Sequence, residues 1–332
     1  MFQPLGVPAF LSEARNGKKR SSVFDMLIFL AVISVAQFTQ NLIITSYSTL
    51  RAIMHEGYAD IALSMDYDAI LEHTYKVLTD LIYNDIPYRL LTLFASITFI
   101  IAALILCCLI EKRKRAGLGL SGNALASYSG GFFLGIAMVG LAIGFAMIFK
   151  TLNFDGLSGD TNVIKLLLFL LGFCIQSFAF ELFFRGYLMV TLAKNAPLWL
   201  AMIMSSLIYT FFAPGTTLSW IGILNTFLFS IFASLYMIRS GNIFGAAAMR
   251  AAFLFGECVL AGLPDCGLPS LFSLYRFSAV PAGAYVNGGA YGLEGGIAVT
   301  FVLALGVAIL AMIPTKGQSK KENGTGVPTG NG

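Results

Sequence analysis

Two ionisable residues, Glu181 and Arg185, lie four positions apart inside a long apolar run, LLLFLLGFCIQSFAFELFFRGYLMV. A charged side chain in membrane hydrocarbon costs about 2.5–3.5 kcal/mol on insertion scales, so such residues are rare there and are usually functional. On a helix, this spacing places both side chains on one face. A carboxylate in such a place can bind a metal ion, accept a proton or hold a neighbouring cation. The alternative is an intrahelical ion pair that only fixes helix packing.

The composition around this pair predicts a membrane protein. Of the 332 residues, 57% are apolar and 11% are charged, whereas soluble domains carry about 25% charged residues. The apolar runs are continuous rather than alternating, which excludes a transmembrane β-barrel. The basic residues sit at helix ends and not on a patch with aromatic residues, which excludes nucleic acid as a partner. We therefore expect an all-α integral membrane protein whose partner is the lipid bilayer.

Apolar runs that can span a bilayer predict a bundle of about eight transmembrane helices. They begin with the run after residue 24 and continue at 89–110, 127–149, 162–188, 198–213, 218–238, 242–262 and 295–313. Basic clusters at 18–20, 111–115, 185–194 and 316–321 alternate along the chain with the acidic loop 51–88 and the loop 263–294. Because cytoplasmic loops carry the excess of lysine and arginine, both termini are predicted to be cytoplasmic in a multi-pass protein of the cell membrane.

Four segments follow one another in an order that resembles a known family. They are FELFFRGYL at 180–188, SSLIYTFFAPG at 205–215, the stretch 221–253 and NGGAYGLEGG at 287–296. In order and spacing they resemble the CPBP family, which comprises the CAAX prenyl protease and the bacteriocin-processing intramembrane metalloproteases, also called Abi proteins. The resemblance covers residues 115–313 and implies a CPBP-like helical core.

The resemblance also divides the chain into parts. Residues 115–313 form the CAAX protease-like membrane domain, which follows a polar cytoplasmic N-terminus over 1–23 and two transmembrane helices within 24–110. The acidic extracytoplasmic loop 51–88 connects these two helices, and its apolar residues recur at helical spacing, which predicts an amphipathic helix. The polar, glycine-rich segment 314–332 is predicted to be a disordered cytoplasmic tail.

Family members gather a zinc ion with glutamate and histidine side chains, and the resemblance implies that a metal-activated water cleaves peptides. Glu181 and Arg185 match the second glutamate and the arginine of the family's EExxxR motif. The remaining motif positions are all changed. Phe180 stands in place of the first glutamate, Ala213 in place of the second motif's histidine, Arg250 in place of the third motif's histidine, and Leu254 in place of the Asn or Asp that follows it.

The positions of the histidines show that shifting the alignment with the family's motifs by one or two residues does not supply the absent ligands. No histidine follows His73, and His55 and His73 would reach Glu181 only if the outer loop folded deep into the bundle. One carboxylate cannot hold zinc against water, because catalytic zinc sites usually have three protein ligands. A guanidinium at a former ligand position also repels a dication. We therefore expect the family's fold without a metal ligand set, without a cofactor and without peptidase activity.

Arg250 suggests a different arrangement of the site. Its guanidinium is predicted to occupy the space vacated by the metal and to neutralise Glu181 directly. Glu257 lies seven residues beyond Arg250 on the same helical face and is a candidate second charge partner. Removing one member of such a buried pair should cost more free energy than removing both.

The five cysteines add no separate chemistry to this interpretation. They show no CxxC pattern and no metal spacing. Four of them fall in apolar runs and are interpreted as small hydrophobic residues. Cys266 lies in a polar loop, where a single cysteine does not indicate a disulfide framework.

Three functions are compatible with the sequence. The first is a CPBP-like pseudoenzyme that binds another membrane protein or an apolar peptide, as a scaffold or in bacteriocin immunity or secretion, which the resemblance permits. The second is an active intramembrane metalloendopeptidase with an atypical site, and bound zinc would favour it. The third is a transporter or permease that uses Glu181 and Arg250 as a charge pair, since buried charges often mark transport paths.

Overall fold

The computed structural model describes residues 5–15, 21–159, 161–213 and 219–313. The basic cluster at 18–20 and the tail 314–332 lie outside the described residues. The helices are α1 (Ala9–Arg15), α2 (Ser22–Met54), α3 (Tyr58–Leu63), α4 (Tyr67–Asn84), α5 (Ile86–Ile110), α6 (Ala124–Ile148), α7 (Val163–Leu192), α8 (Leu198–Phe212), α9 (Trp220–Ser240), α10 (Phe244–Phe255, continued by Gly256–Leu260), α11 (Ala284–Asn287) and α12 (Ile297–Met312). Strands β1 (Leu152–Leu157) and β2 (Tyr275–Ala279) pair antiparallel.

The predicted all-α membrane class is confirmed. Helices α2, α5, α6, α7 and α9 are long and apolar enough to cross a membrane, and α8 and α12 are shorter apolar helices. Helix α10 is buried along most of its length, so most of its surface contacts other parts of the protein. These helices overlap the eight apolar runs of the sequence. How many of them cross the bilayer stays a prediction.

The centre of the bundle is formed by α10 and the helices packed around it, α6 and α7. Helix α6 approaches α10 through two of its glycines. A Cβ atom on Gly131 would lie 2.0 Å from the carbonyl oxygen of Gly245, and one on Gly135 would lie 2.2 Å from that of Met249. Small residues therefore allow two backbones to touch inside the bundle. This contact fixes α10, which carries Arg250.

In the part of the chain that the structure describes, three helices contain π-helical turns, in which the backbone hydrogen bonds join residues five positions apart. They cover Ile105–Ile110 in α5, Leu182–Met189 in α7 and Gly256–Leu260 in α10. Such turns occur frequently at functional sites because they redirect side chains from the regular helical face. The turn in α7 begins directly after Glu181, and the turn in α10 contains Glu257.

The acidic loop forms a helical cap beside α2. Its predicted amphipathic helix is confirmed as α4, which buries Val77 and Leu81 against the end of α2 near Ala52. An ion pair of 3.1 Å joins Arg51 to Asp85 across this contact. The cap therefore covers one end of α2 and α5.

A second group of buried charges lies where α5 ends and α7 ends. The Glu111 carboxylate pairs with Lys194 and Arg113, and it accepts a hydrogen bond of 3.2 Å from the Thr191 hydroxyl. The Arg113 guanidinium lies 4.9 Å from the ring centroid of Tyr187. The basic segments 111–115 and 185–194, which the charge pattern assigns to one membrane side, therefore meet at one end of the bundle.

The N-terminal segment contributes to the core more than its polarity indicates. Helix α1 is seven residues long and buries Phe10, Leu11 and Ala14. It packs against the short turn Arg115–Leu118 that follows α5. The sequence predicts a polar N-terminus over 1–23, and the structure places an apolar face of this segment against the bundle.

Candidate functional site

Glu181 and Arg185 form a buried ion pair within α7. The distance from Arg185 Nη1 to Glu181 Oε1 is 3.2 Å, and both residues are fully buried. The guanidinium also lies 4.1 Å from the ring centroid of Tyr209 on α8. A cation over an aromatic face is stabilised by the ring quadrupole. The carboxylate, the guanidinium and the ring therefore make one unit that links α7 to α8.

Arg250 reaches the same ring from α10. Its guanidinium carbon lies 5.1 Å from the centroid of Tyr209 and 5.4 Å from that of Phe229. Tyr209 thus contacts two arginines from two helices. Sequence reasoning identified this tyrosine only as the aromatic residue of the second motif. Its position between two arginines depends on how α8 packs against α7 and α10.

The direct pairing that we expected between Glu181 and Arg250 is not found. Among the described residues, these two side chains form no ion pair within 4.0 Å, and Glu181 pairs with Arg185 instead. The physical reason is proximity, since a residue four positions along the same helix reaches the carboxylate first. Arg250 packs against the rings and lines a cavity.

Glu257 also has a different partner from the one we expected. Its Oε1 accepts a hydrogen bond of 2.6 Å from the backbone N–H of Leu293, and the side chain is fully buried. The residue belongs to the π-helical turn Gly256–Leu260, so the regular seven-residue spacing from Arg250 does not keep the two side chains on one face. Glu257 therefore faces the loop before α12 and not Glu181.

A cavity of about 370 Å³ opens between α2, α5, α7, α10 and the loop that follows α10. Four of its lining residues occupy the motif positions that differ from the family's pattern, and we call them the motif wall: Phe180, Ala213, Arg250 and Leu254. Phe180 lies on α7, Ala213 directly follows α8, and Arg250 and Leu254 lie on α10. The resemblance implies one site for these positions, and the structure places all four on one cavity.

The rest of the cavity is aromatic with a few amides. The aromatic lining residues include Phe99, Phe169, Phe173, Phe184, Phe212 and Phe272. The amides are Gln37, Gln40, Asn41 and Gln176. Three of these amides, those of Gln37, Gln40 and Asn41, come from α2. Apolar walls with a few placed polar groups are typical of ligand pockets.

Three further groups line the cavity from the loops around α11, and we call them the loop wall: Asp265, Cys266 and Glu294. One ligand atom from each residue lies within 4.8 Å of the others. The Cys266 thiol donates to Glu294 Oε2 at 3.6 Å. Burial, together with the nearby Asp265 carboxylate, raises the pKa of Glu294 to about 7.

The sequence did not predict that Asp265, Cys266 and Glu294 lie close together. Cys266 was interpreted as a lone loop cysteine, and the segment NGGAYGLEGG was used only as a family signal. The available signal was a glutamate inside an otherwise apolar, glycine-rich segment next to a helix. The partners of that glutamate lie 28 and 29 residues earlier in the chain, so only the folded loops bring them together.

The two histidines form a separate contact. The rings of His55 and His73 lie 5.2 Å apart, and Tyr58 lies 5.8 Å from His73. Neither histidine is among the residues that line the cavity. They contact each other where α2, α3 and α4 meet.

Comparison with known proteins identifies the central helices. A family model described as type II CAAX prenyl endopeptidase Rce1-like matches residues 162–255. The match runs from α7 to α10 and includes Glu181, Arg185 and the motif wall. It confirms the resemblance to the CPBP family within these residues, whereas the loop wall lies outside the match. No curated protein matches the chain.

Proposed function

We propose that this chain, whose residues 162–255 belong to the Rce1-like CAAX endopeptidase family, binds apolar peptide segments in its membrane cavity without cleaving them by the family's zinc chemistry. One observation carries this proposal. The four motif-wall residues line a single cavity, and their side chains are aromatic, aliphatic or cationic. The position of the family's site is thus retained while its metal ligands are replaced.

The residues at the motif wall do not fit a zinc ion. Phe180, Ala213 and Leu254 offer no donor atom, and the guanidinium of Arg250 is a cation that repels one. Glu181 already pairs with Arg185 at 3.2 Å. Catalytic zinc sites usually have three protein ligands, and this wall supplies none. No step of hydrolysis is therefore derived through zinc at these positions.

The cavity is suited to an apolar chain that carries backbone amides. Its volume of about 370 Å³ and its aromatic lining match the space and chemistry of a ligand pocket. The amides of Gln37, Gln40 and Gln176 can pair with peptide N–H and C=O groups, which would otherwise be costly to bury. Binding needs this shape and these donors but no metal. A binder of this kind fits a scaffold or bacteriocin immunity role, which the resemblance permits.

The proposed placement is in the cell membrane with both termini on the cytoplasmic side. The positive-inside pattern of the sequence supports this orientation. The contact between Glu111 and Lys194 supports it further, because it joins two of the basic segments at one end of the bundle.

The experiment is a binding and cleavage assay on the full chain in detergent. A fluorescent farnesylated peptide that ends in a CAAX sequence is titrated, binding is read by anisotropy and the peptide is analysed by mass spectrometry. We expect saturable binding and an intact peptide. The variant Ala213→Trp fills the cavity and should weaken binding at least about tenfold, which corresponds to 1.4 kcal/mol.

The matched control is Leu207→Trp. It lies on α8, the helix that Ala213 directly follows, but its side chain is half exposed on the outside of α8. Equal affinity of the Ala213→Trp and Leu207→Trp variants would refute binding in the cavity. Cleavage that disappears with a chelator and returns with zinc would refute the pseudoenzyme and favour an atypical metalloendopeptidase.

A further inference from the structure

We propose that the loop wall is a binding site for one divalent transition-metal ion, with Asp265, Cys266 and Glu294 as its protein ligands. These residues lie outside the family match and differ from every position of the family's motifs. The site would therefore be particular to the loops of this chain. It faces the same cavity as the motif wall.

The three ligand groups are held by a tight junction of two loops. The backbone N–H of Gly267 donates to the carbonyl of Tyr291 at 2.9 Å. Gly292 has a φ of +106°, and a Cβ atom on it would lie 2.1 Å from the carbonyl oxygen of Pro264. A side chain at this position would push the loops apart. The glycine thus lets Glu294 approach Asp265 and Cys266.

The backbone at the ligands is also fixed. Cys266 has a φ of +50°, a left-handed conformation that is uncommon for a residue other than glycine. The Asn225 side-chain amide donates to the carbonyl of Glu294 at 2.7 Å and anchors that residue to α9. Strained positions persist where the surrounding structure holds them, and they cluster at functional sites.

A second observation, at Glu257, points to a cation as the ligand of this site. Glu257 is fully buried next to this site, its Oε1 is held by the N–H of Leu293, and its Oε2 has no hydrogen-bond partner among the described residues. The carboxylates of Glu257, Asp265 and Glu294 interact electrostatically. None of them forms an ion pair within 4.0 Å with a described lysine or arginine. Arg250 is the counter-charge of Glu294, but it acts from more than 4.0 Å away. Three carboxylates this close together, two of them buried, remain costly, and a bound cation offsets that cost.

The aromatic neighbour agrees with this assignment. Tyr291 is 7% exposed, and its hydroxyl has no hydrogen-bond partner among the described residues. The hydroxyl interacts electrostatically with the Cys266 thiol and with Glu294. A buried hydroxyl next to the thiol could donate to a metal-bound thiolate or carboxylate. Outer-shell donors of this kind orient metal ligands.

The donor set selects the class of metal. One thiolate with two carboxylates favours zinc or a similar transition metal, whereas magnesium and calcium prefer oxygen ligands alone. Three protein ligands leave at least one coordination position open to the cavity. The thiol proton that now points at Glu294 Oε2 is released when the metal binds, since only the thiolate is a ligand.

The experiment uses the full chain in detergent, stripped of metal and without a histidine tag. Co²⁺ is titrated, and the thiolate-to-cobalt charge-transfer absorption is measured. We expect one equivalent of Co²⁺, loss of the band on addition of Zn²⁺, and no band in Cys266→Ser. Cys108→Ser is the matched control, because this half-buried free cysteine lies outside the cavity, and it should keep the band. Glu294→Gln should weaken metal affinity by more than about tenfold, since even outer-shell partners contribute that much.

A second measurement does not depend on any variant folding. In the native chain, Zn²⁺ should slow alkylation of Cys266 and leave alkylation of Cys108 unchanged, as read by mass spectrometry. The variant His73→Asn removes the histidine contact and should leave the metal stoichiometry unchanged. A cobalt spectrum without a thiolate band, or an alkylation rate of Cys266 that Zn²⁺ does not change, would overturn the proposal. Metal content is read without peptide, so a failure here leaves peptide binding standing.

Discussion

The motif wall and the loop wall line one cavity, but they differ in whether the charged side chains at each wall have an oppositely charged partner. Behind the motif wall, Glu181 pairs with Arg185 at 3.2 Å, and two guanidinium groups pack on Tyr209. At the loop wall, Asp265 and Glu294 have no cationic partner within 4.0 Å among the described residues. Glu294 and the half-buried Asp265 repel each other, and Arg250 is only a more distant counter-charge of Glu294. The difference is that the charges behind the motif wall are paired within the protein, whereas the carboxylates of the loop wall have no cation within 4.0 Å among the described residues.

The largest expected effect is a gain of metal binding at the motif wall. Phe180→Glu, Ala213→His, Arg250→His and Leu254→Asn are combined in a Cys266→Ser background, which disables the loop wall. We expect about one equivalent of zinc, because carboxylate and imidazole groups then converge on one cavity. The readout is metal content after dialysis. The same set with Arg250 retained should bind far less, and equal zinc in both would contradict the role of the guanidinium.

The second-largest expected effect is a loss of stability when the buried ion pair of Glu181 and Arg185 is broken. Glu181→Gln should lower the free energy of unfolding by about 3–5 kcal/mol, because it leaves Arg185 uncompensated in the bundle. Unfolding in detergent is followed by circular dichroism. The double variant with Arg185→Met should lose less than the sum of the two single losses. Strictly additive losses would show that the pair does not interact.

Arg250→Met should have a smaller effect on stability. Arg250 contacts Tyr209 and Phe229 without an ion pair, and a desolvated cation–π contact contributes about 2 kcal/mol. We therefore expect a loss of about 1–2 kcal/mol in the same unfolding measurement. In double variants, the interaction energy between Arg250→Met and Glu181→Gln should be smaller than that between Arg185→Met and Glu181→Gln. If Arg250→Met lost as much unfolding free energy as Glu181→Gln, the result would indicate that Arg250 pairs directly with Glu181.

The smallest effect is expected at the loop wall. In metal-free protein, Glu294→Gln should leave stability unchanged or raise it by up to about 1 kcal/mol, because it removes a buried charge without a close partner. Thermal unfolding with a chelator present measures this. A loss comparable to that of Glu181→Gln would mean that Glu294 is paired after all, and the contrast between the two walls would disappear.

Several features of the fold were predictable from local patterns. Continuous apolar runs predicted the membrane helices, and the helical spacing of apolar residues in the acidic loop predicted α4. Both predictions depend on helical periodicity and on segment length, which the chain carries locally. The family resemblance assigned Phe180, Ala213, Arg250 and Leu254 to motif positions of one site, and the structure places all four on one cavity.

The charge partners were harder to predict. Helical spacing assigned Glu257 to the face of Arg250, but the π-helical turn Gly256–Leu260 changes the register and directs it to Leu293. A π-helical turn depends on packing along the helix, which periodicity does not reveal. The buried contact of Glu111 with Lys194 joins residues more than eighty positions apart, and charge pattern alone assigned them only to one membrane side.

The sequence by itself determined that this chain is helical and membrane-embedded, and that Phe180, Ala213, Arg250 and Leu254 carry no metal-donating side chain, because residue identity and hydrophobic period are local properties. Only the tertiary structure decided which charges meet. Pairing depends on distances of a few ångströms between helices and loops, and those distances follow from close packing at glycines and from turns in the backbone. The loop wall is the clearest case, since its three groups come from two loops that meet only when the chain has folded.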